Sequence, residues 1–269
     1  TLWHLQRPLA LTLKKSKKNK GYSLSPYSEK DDTLKPVKIK WIKQIPDFSG
    51  FTSQIESLNN FCKHVQTETD NSKIQHMKNY IVIRTMSIME NKIKSILVNF
   101  VDEHNVLPSK ILDLDVIPIS LDQFNEYKKD EITKGKILAS IFTMNKANIG
   151  KCFGKINDVK FFSWAQKIIF KGEIVSDNWL HDQLESYYLR RNNLVHNLED
   201  VSEDAEKLQK DIKMMDVFIT KSYLMTVINL KTKNKLNKDE KEKWNKICKE
   251  NLGISLSEFK KITQHYATN

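Results

Sequence analysis

The residues best suited to chemistry lie in one short segment, YYLRRNNLVHNLED, at residues 187–200. The chain has 44 basic residues, but only four are arginines, and two of these, Arg190 and Arg191, lie just before His196. A guanidinium group is permanently charged and can bind a phosphate through two hydrogen bonds. A histidine titrates near neutral pH and can donate or accept a proton. Together they favour cleavage of RNA by its own 2′-hydroxyl group, which needs proton transfer and charge stabilisation.

The spacing of Arg191 and His196 constrains how they could form one site. In an unbroken α-helix, residues five apart project roughly 140° from each other, with about 7.5 Å of rise between them. Asn192 and Asn193 tolerate the left-handed backbone region and could end or kink the preceding helix. We therefore predict a helix break near His196, so that a kink or a second subunit brings the two groups to one cleft.

The segment RRNNLVHN resembles the signature of the HEPN superfamily, in which an arginine and a polar residue are followed, a few residues later, by a histidine. The matching residues are Arg191, Asn192 and His196. The upstream segment 80–103, with Glu90 on a largely apolar stretch, also resembles the first core helix of that family. The resemblance covers about residues 74–230 and does not extend to either end of the chain.

The resemblance implies a helical bundle that acts as a homodimer and as a metal-independent endoribonuclease, with two copies of the motif in one cleft. By the same resemblance, Arg191 would hold the scissile phosphate, His196 would be the general acid or base, and Asn192 would orient the site. The implied partners are RNA, a second copy of the chain and an antitoxin or defence-system protein. No cofactor and no metal are expected, and the implied role is that of a toxin or antiviral effector.

Three neighbours, Arg190, Asn193 and Asn197, are expected to support the site or contact RNA. A subgroup of the family carries a modified tyrosine two residues after the histidine. Leu198 occupies that position here, so we do not expect this regulation.

Other interpretations remain open. Arg191 could pair with Glu185 or Glu199, with His196 as a satisfied core histidine. The domain could also keep the family fold but serve only for RNA binding or protein assembly. A DNA-binding regulator would need a compact helix-turn-helix with polar recognition positions, and the sequence shows no convincing one.

The elements that must position the motif are predicted to be helical, since apolar residues recur at three- and four-residue steps from residue 51 onward. The sequence ISLDQF at 119–124 has a helix-start signature with Ser120 and Gln123, and ISLSEF at 254–259 repeats it. Gly253 is placed to end the preceding helix. The predicted helices cover about 52–66, 73–103, 120–128, 131–147, 158–170, 177–191, 202–230, 238–251 and 255–266.

The fold class is therefore all-α, with three parts along the chain. Residues 1–50 read as a basic, irregular arm that includes a period-two stretch at 36–43. Residues 51–230 form the main helical domain, and residues 231–269 form a lysine-rich helical extension. The arm has 11 basic and 4 acidic residues and the extension has 10 and 5, whereas the whole chain carries +11. Two basic ends suit a polyanionic partner, although solvated surface segments would have the same composition.

Cysteine usage and hydropathy limit the remaining classes. Cys62, Cys152 and Cys248 are far apart and show no zinc spacing, so neither a disulfide framework nor a structural metal is expected. No apolar run reaches the roughly 20 residues of a membrane-spanning helix. A reducing, cytoplasmic location fits best.

Overall fold

The computed structural model describes residues 49–107, 111, 120–170, 179–197 and 199–268. The predicted arm, apart from residues 49 and 50, which begin the first helix, and its period-two stretch lie outside these ranges. Within them the chain forms α-helices, one π turn and a single isolated bridge between Val159 and Ala267, so the all-α class is confirmed. The elements are α1 (Ser49–Val65), α2 (Asn71–Asp102), α3 (Leu121–Lys128), α4 (Lys134–Ile141), α5 (Lys146–Asn157), α6 (Phe161–Ile169), α7 (Trp179–Asn192), the π turn (Asn193–Asn197), α8 (Ala205–Thr232), α9 (Lys238–Leu252) and α10 (Leu256–His265).

Helix α8 is the centre of the core. Between residues 211 and 229, all side chains are buried except those of Lys213 and Asp216. A helix that is buried around its circumference needs neighbours on every side, and α8 contacts α1, α2, α5, α6 and α9. Several of its buried polar groups are paired across these contacts. Thr226, for example, accepts a hydrogen bond of 2.9 Å from Asn157 of α5.

Local capping signals fix several helix ends as predicted. Ser120 and Gln123 form a reciprocal capping box at the start of α3, and the Ser255 side chain accepts a hydrogen bond from the Glu258 amide at the start of α10. Gly253 ends α9 in the left-handed region, with a φ of 68° that favours glycine. The start predicted at Ser202 is wrong, because Asp204 caps α8 instead.

The helix predicted over 131–147 is wrong, since the chain forms two helices there. Residues 142–145 separate α4 from α5, and Asn145 caps the second helix by accepting from the Asn148 amide. Helix α5 lies mostly between the helices predicted over 131–147 and 158–170, and it contains two glycines. In the structure they allow close packing. A Cβ atom on Gly150 would lie 2.7 Å from the Phe162 ring of α6.

The last two helices pack on the bundle through α6 and α8. Trp164 of α6 donates a hydrogen bond to the Thr263 hydroxyl of α10, and its ring lies 5.8 Å from that of Phe259. The Lys160 amide donates to the Tyr266 carbonyl at 2.8 Å, which joins the end of α10 to the start of α6. Among the residues that the structure describes, no helix has the length and apolar character to cross a bilayer.

Candidate functional site

The motif segment begins on α7, whose inner face is anchored in the core. Leu180, Leu184 and Tyr187 are buried, and the α7 backbone continues to Asn192. The apolar spacing of these residues sets the orientation of the helix, so the residues that follow Tyr187 emerge at its C-terminal end. The candidate site therefore lies where a packed helix meets the surface.

The α-helix ends at Asn192, where the sequence predicts an end or a kink at the Asn192–Asn193 pair. The chain continues directly from α7 into the π turn, which contains His196. Hydrogen bonds in a π turn join residues i and i+5, so one turn accommodates a five-residue separation. The π turn from Asn193 to Asn197 has more residues per turn than an α-helix, so it reduces the angle between the positions of Arg191 and His196 around the helix axis.

Arg191 carries the charge that is available at the site. Its Nη1 atom donates a hydrogen bond of 3.1 Å to Oδ1 of Asn192, and both side chains are half-buried. Within the described ranges, no carboxylate forms an ion pair with Arg191. Glu199, one of its suggested partners, instead accepts a hydrogen bond of 2.8 Å from the side-chain Nδ2 atom of Asn193. The Arg191 guanidinium is thus oriented by a neutral neighbour and keeps its positive charge.

His196 is exposed on the π turn. The alternative of a satisfied core histidine does not fit this position. Asn197 is exposed beside it, whereas Leu194 is buried and anchors the turn. The imidazole is open to solvent and to a bound molecule, as a group that transfers protons must be.

Arg190 has different surroundings from its neighbour. Its Nη1 atom donates to Oδ2 of Asp211 at 2.8 Å, and its Nε atom lies 2.9 Å from Oε1 of Glu203. The guanidinium also lies over the Tyr187 ring, 5.0 Å from its centre. With 14% of its side chain exposed and two carboxylates beside it, Arg190 holds α7 to the start of α8. Its expected contact with RNA stays a prediction.

The loop after the π turn is fastened to α2. The Asn79 side chain donates to Oδ1 of Asp200 at 2.9 Å and accepts from the Val201 amide at 3.1 Å. Gln75 adds a hydrogen bond of 3.0 Å to the Val201 carbonyl. These bonds fix the exit of the motif segment against the first half of α2. Sequence reasoning missed Gln75 and Asn79, because no local pattern links them to residues more than 120 positions away.

Exposed apolar side chains flank the motif. Leu189 on α7 is 50% exposed and Val195 on the π turn is 40% exposed. Single exposed apolar residues are common on protein surfaces. Here they lie on either side of Arg191 in the chain.

Other titratable groups are buried away from this site. The three cysteines are free and buried, and burial raises the pKa of Cys62 to about 11 and that of Cys248 to about 12. In the part of the chain that the structure describes, no group of three or more His, Cys, Asp or Glu side chains is arranged to hold a metal ion.

Comparison with family models, curated proteins and solved structures gave no match for this chain.

Proposed function

We propose that this protein is an endoribonuclease that cleaves single-stranded RNA through Arg191, Asn192 and His196. The observation that carries the proposal is an arginine near the end of α7, which no carboxylate of the described ranges neutralises, followed by an exposed histidine on the π turn. The resemblance of RRNNLVHN to the HEPN signature supports the same residues and the same chemistry.

In the proposed reaction, the 2′-oxygen attacks the adjacent phosphorus while the bond from phosphorus to the 5′-oxygen breaks. A base takes the 2′-hydroxyl proton, and an acid gives a proton to the departing 5′-oxygen. The products are a 2′,3′-cyclic phosphate and a 5′-hydroxyl end. Arg191 stabilises the negative charge that develops on the phosphate oxygens, and Asn192 orients its guanidinium.

The reaction uses one base and one acid, whereas each chain brings one His196 to the site. We therefore propose a homodimer in which two motif segments face one another and each histidine takes one role. The exposed Leu189 and Val195 would be covered in such a dimer. A cytoplasmic toxin or antiviral effector with a protein partner is the biological role that the resemblance favours.

The test is cleavage of a labelled single-stranded RNA in EDTA, with analysis of the product ends. We expect cyclic phosphate ends from the wild type and loss of cleavage by about 100-fold or more in His196→Ala, because general acid–base catalysis contributes about that much. Arg191→Ala should lose a similar factor, and Arg191→Lys should stay impaired since lysine cannot reproduce the two-pronged contact.

Two control variants remove a histidine and a basic side chain from other surfaces of the protein. His265→Ala removes an exposed histidine of α10, and Lys213→Ala removes an exposed charge of α8. Both should cleave as the wild type does. Undiminished cleavage by His196→Ala and Arg191→Ala would refute the site, and RNA binding without cleavage by the wild type would favour a non-catalytic binding module.

A further inference from the structure

A groove between α1 and α2 lies outside the site described above. It has a volume of about 610 Å³, within the usual range for small-molecule and cofactor pockets. Its lining residues are Gln54, Ser57, Leu58, Asn60, Phe61, His64, Tyr80 and Arg84. We refer to this feature as the α1–α2 groove.

The aromatic side chains of the groove leave a ring open to solvent. Tyr80 is 51% exposed although it is a large, partly apolar residue. Phe61 supports it from α1, with ring centres 5.5 Å apart and an angle of 72° between the planes. This edge-to-face contact holds the tyrosine ring in place while one of its faces stays available. An exposed aromatic face is the feature on which nucleic-acid bases stack.

The electrostatics of the groove favour a phosphate. None of its eight lining residues carries a carboxylate. Arg84 is exposed, and its Nη2 atom donates a hydrogen bond of 3.2 Å to Oε1 of Gln54. In the described ranges no acid forms an ion pair with Arg84, so its positive charge is available. Asn60 and His64 add groups that can donate to and accept from base edges.

The groove is continuous with the candidate site along α2. Asn79 holds Asp200 just after the π turn, and Tyr80 is its neighbour in the chain. On a helix surface, Ile83 lies one turn from both residues, at i+4 from Asn79 and i+3 from Tyr80. Ile83 is 41% exposed, and His76, one turn before Tyr80, is also exposed. An open strip of α2 thus joins the motif loop to the groove.

We propose that the α1–α2 groove binds an unpaired nucleotide of RNA, with the base on Tyr80 and a phosphate at Arg84. A strand whose scissile phosphate lies at Arg191 would then continue along α2 into this groove. The inference rests on the proposed function for its choice of single-stranded RNA, and it adds that an unpaired base near the cleavage point stacks on Tyr80. A base paired in a duplex cannot present its face to Tyr80.

The test measures RNA binding in a His196→Ala background, where no cleavage is expected, with a fluorescein-labelled oligouridylate in EDTA at several salt concentrations. Tyr80→Leu keeps the bulk of the side chain and removes the ring, and it should weaken binding by about tenfold. Arg84→Gln should also weaken binding and reduce the slope of log K against log salt by about 0.7, as for one lost phosphate contact. Thermal melting of each variant checks that it is folded.

Matched controls make the same changes elsewhere. Phe124→Leu removes an exposed ring of α3, and Lys63→Gln removes an exposed charge of α1 outside the groove. Both should leave the Kd and the salt slope unchanged. The groove proposal is overturned if Tyr80→Leu and Arg84→Gln bind the oligouridylate as tightly as these controls, or if the oligouridylate does not bind. It is also overturned if the two substitutions weaken the binding of duplex RNA by the same factor as that of the oligouridylate.

The two proposals can fail separately. Groove-dependent binding by a wild-type chain that does not cleave RNA would support the groove and refute the nuclease. Cleavage that depends on His196 while Tyr80→Leu and Arg84→Gln bind normally would support the nuclease and refute the groove. If oligodeoxythymidylate binds with equal dependence on Tyr80 and Arg84, the groove recognises base and phosphate, and the choice of RNA comes from the cleavage site.

Discussion

Arg190 and Arg191 are neighbours in the chain, but their guanidinium groups have different surroundings. Arg190 lies between the carboxylates of Asp211 and Glu203, and Asp211 is only 4% exposed. Arg191 has a hydrogen bond to Asn192 and no carboxylate partner in the described ranges. The first arginine therefore belongs to the architecture of the helix end, and the second is free to act on a ligand.

This difference predicts that the same substitution has a large effect on stability at Arg190 and a small one at Arg191. Arg190→Met should lower the free energy of unfolding by about 3 kcal/mol, because it leaves the buried Asp211 carboxylate without its main partner. Arg191→Met should change stability by less than about 0.5 kcal/mol, as is usual for surface positions. Urea denaturation of both variants measures the two values. Equal stability losses would contradict the assignment of separate roles.

Among the elements, the π turn decides the geometry of the site. An α-helix through residues 191–196 would turn Arg191 and His196 to different faces. The π turn that follows α7 is wider and reduces this angular separation. Leu194 is buried beneath the turn, and the loop that follows is held by Asn79 on α2. The site is thus supported on both sides by packed helices, as precise positioning of side chains requires.

The contact between α2 and α4 shows how closely the supporting elements pack. A Cβ atom on Gly135 would lie 2.8 Å from both the backbone of Val98 and the carboxylate of Asp102. The Gly135 amide also donates a hydrogen bond of 3.0 Å to Asp102. A glycine is required here because the two backbones approach too closely for any side chain.

Gly135→Ala should therefore destabilise the protein by about 1–3 kcal/mol, the usual cost of overpacking. Gly50→Ala is the matched control, because a Cβ atom on Gly50 of α1 meets nothing within 4 Å. That substitution should leave stability unchanged or raise it by up to about 1 kcal/mol, since alanine is the better helix former. Thermal melting compares the two variants, and a Gly135→Ala protein as stable as Gly50→Ala would show that the contact is not tight.

At the scale of the whole molecule, one core joins the helices that carry the motif to those at the C-terminus. The C-terminal helices add a basic surface, because the four lysines of α9 at positions 241, 243, 246 and 249 are exposed. Whether this surface contacts phosphates stays a prediction. RNA binding that loses salt dependence when these lysines are neutralised would support it.

The stability of the whole molecule should also depend on His104, which follows the C-terminus of α2. Neither of its ring nitrogens has a hydrogen-bond partner among the described residues, and both are buried. Burial, with a smaller effect of the charge on Lys231, lowers the pKa of His104 to about 4. The folded state therefore favours the neutral ring, whereas the unfolded chain binds a proton near pH 6.5.

The sign of the effect follows from this difference. Above about pH 6.5 His104 is neutral in both states and has no effect on the pH dependence. As the pH falls from about 6.5 towards 4, the unfolded chain gains a proton that the folded chain does not, so stability decreases. His104→Leu removes this titrating side chain, so the variant should show a smaller fall in Tm between about pH 7 and pH 5 than the wild type. His265→Leu is the control at an exposed position, and an unchanged fall in His104→Leu would contradict the prediction.

The sequence by itself determined the all-α class, most of the helices and several of their ends. These features depend on residues within one or two turns of each other. The capping box of Ser120 and Gln123 and the helix end at Gly253 are examples, and both are confirmed. The residue types of the motif were also visible, because an arginine and a histidine carry their chemistry wherever they lie. Their role as a catalytic site stays a prediction.

Only the tertiary structure decided which side chains are free to act. It separated Arg191 from Arg190 through the Asp211 carboxylate of a different helix, placed His196 in a π turn, and formed a groove lined by residues such as Tyr80 and Arg84 that no sequence motif indicated. It also placed Gly150 of α5 against the Phe162 ring, where a larger residue would not fit. The physical reason is the same in each case. The environment of these residues is set by contacts between segments that are distant in the chain, and a local pattern contains no information about those contacts.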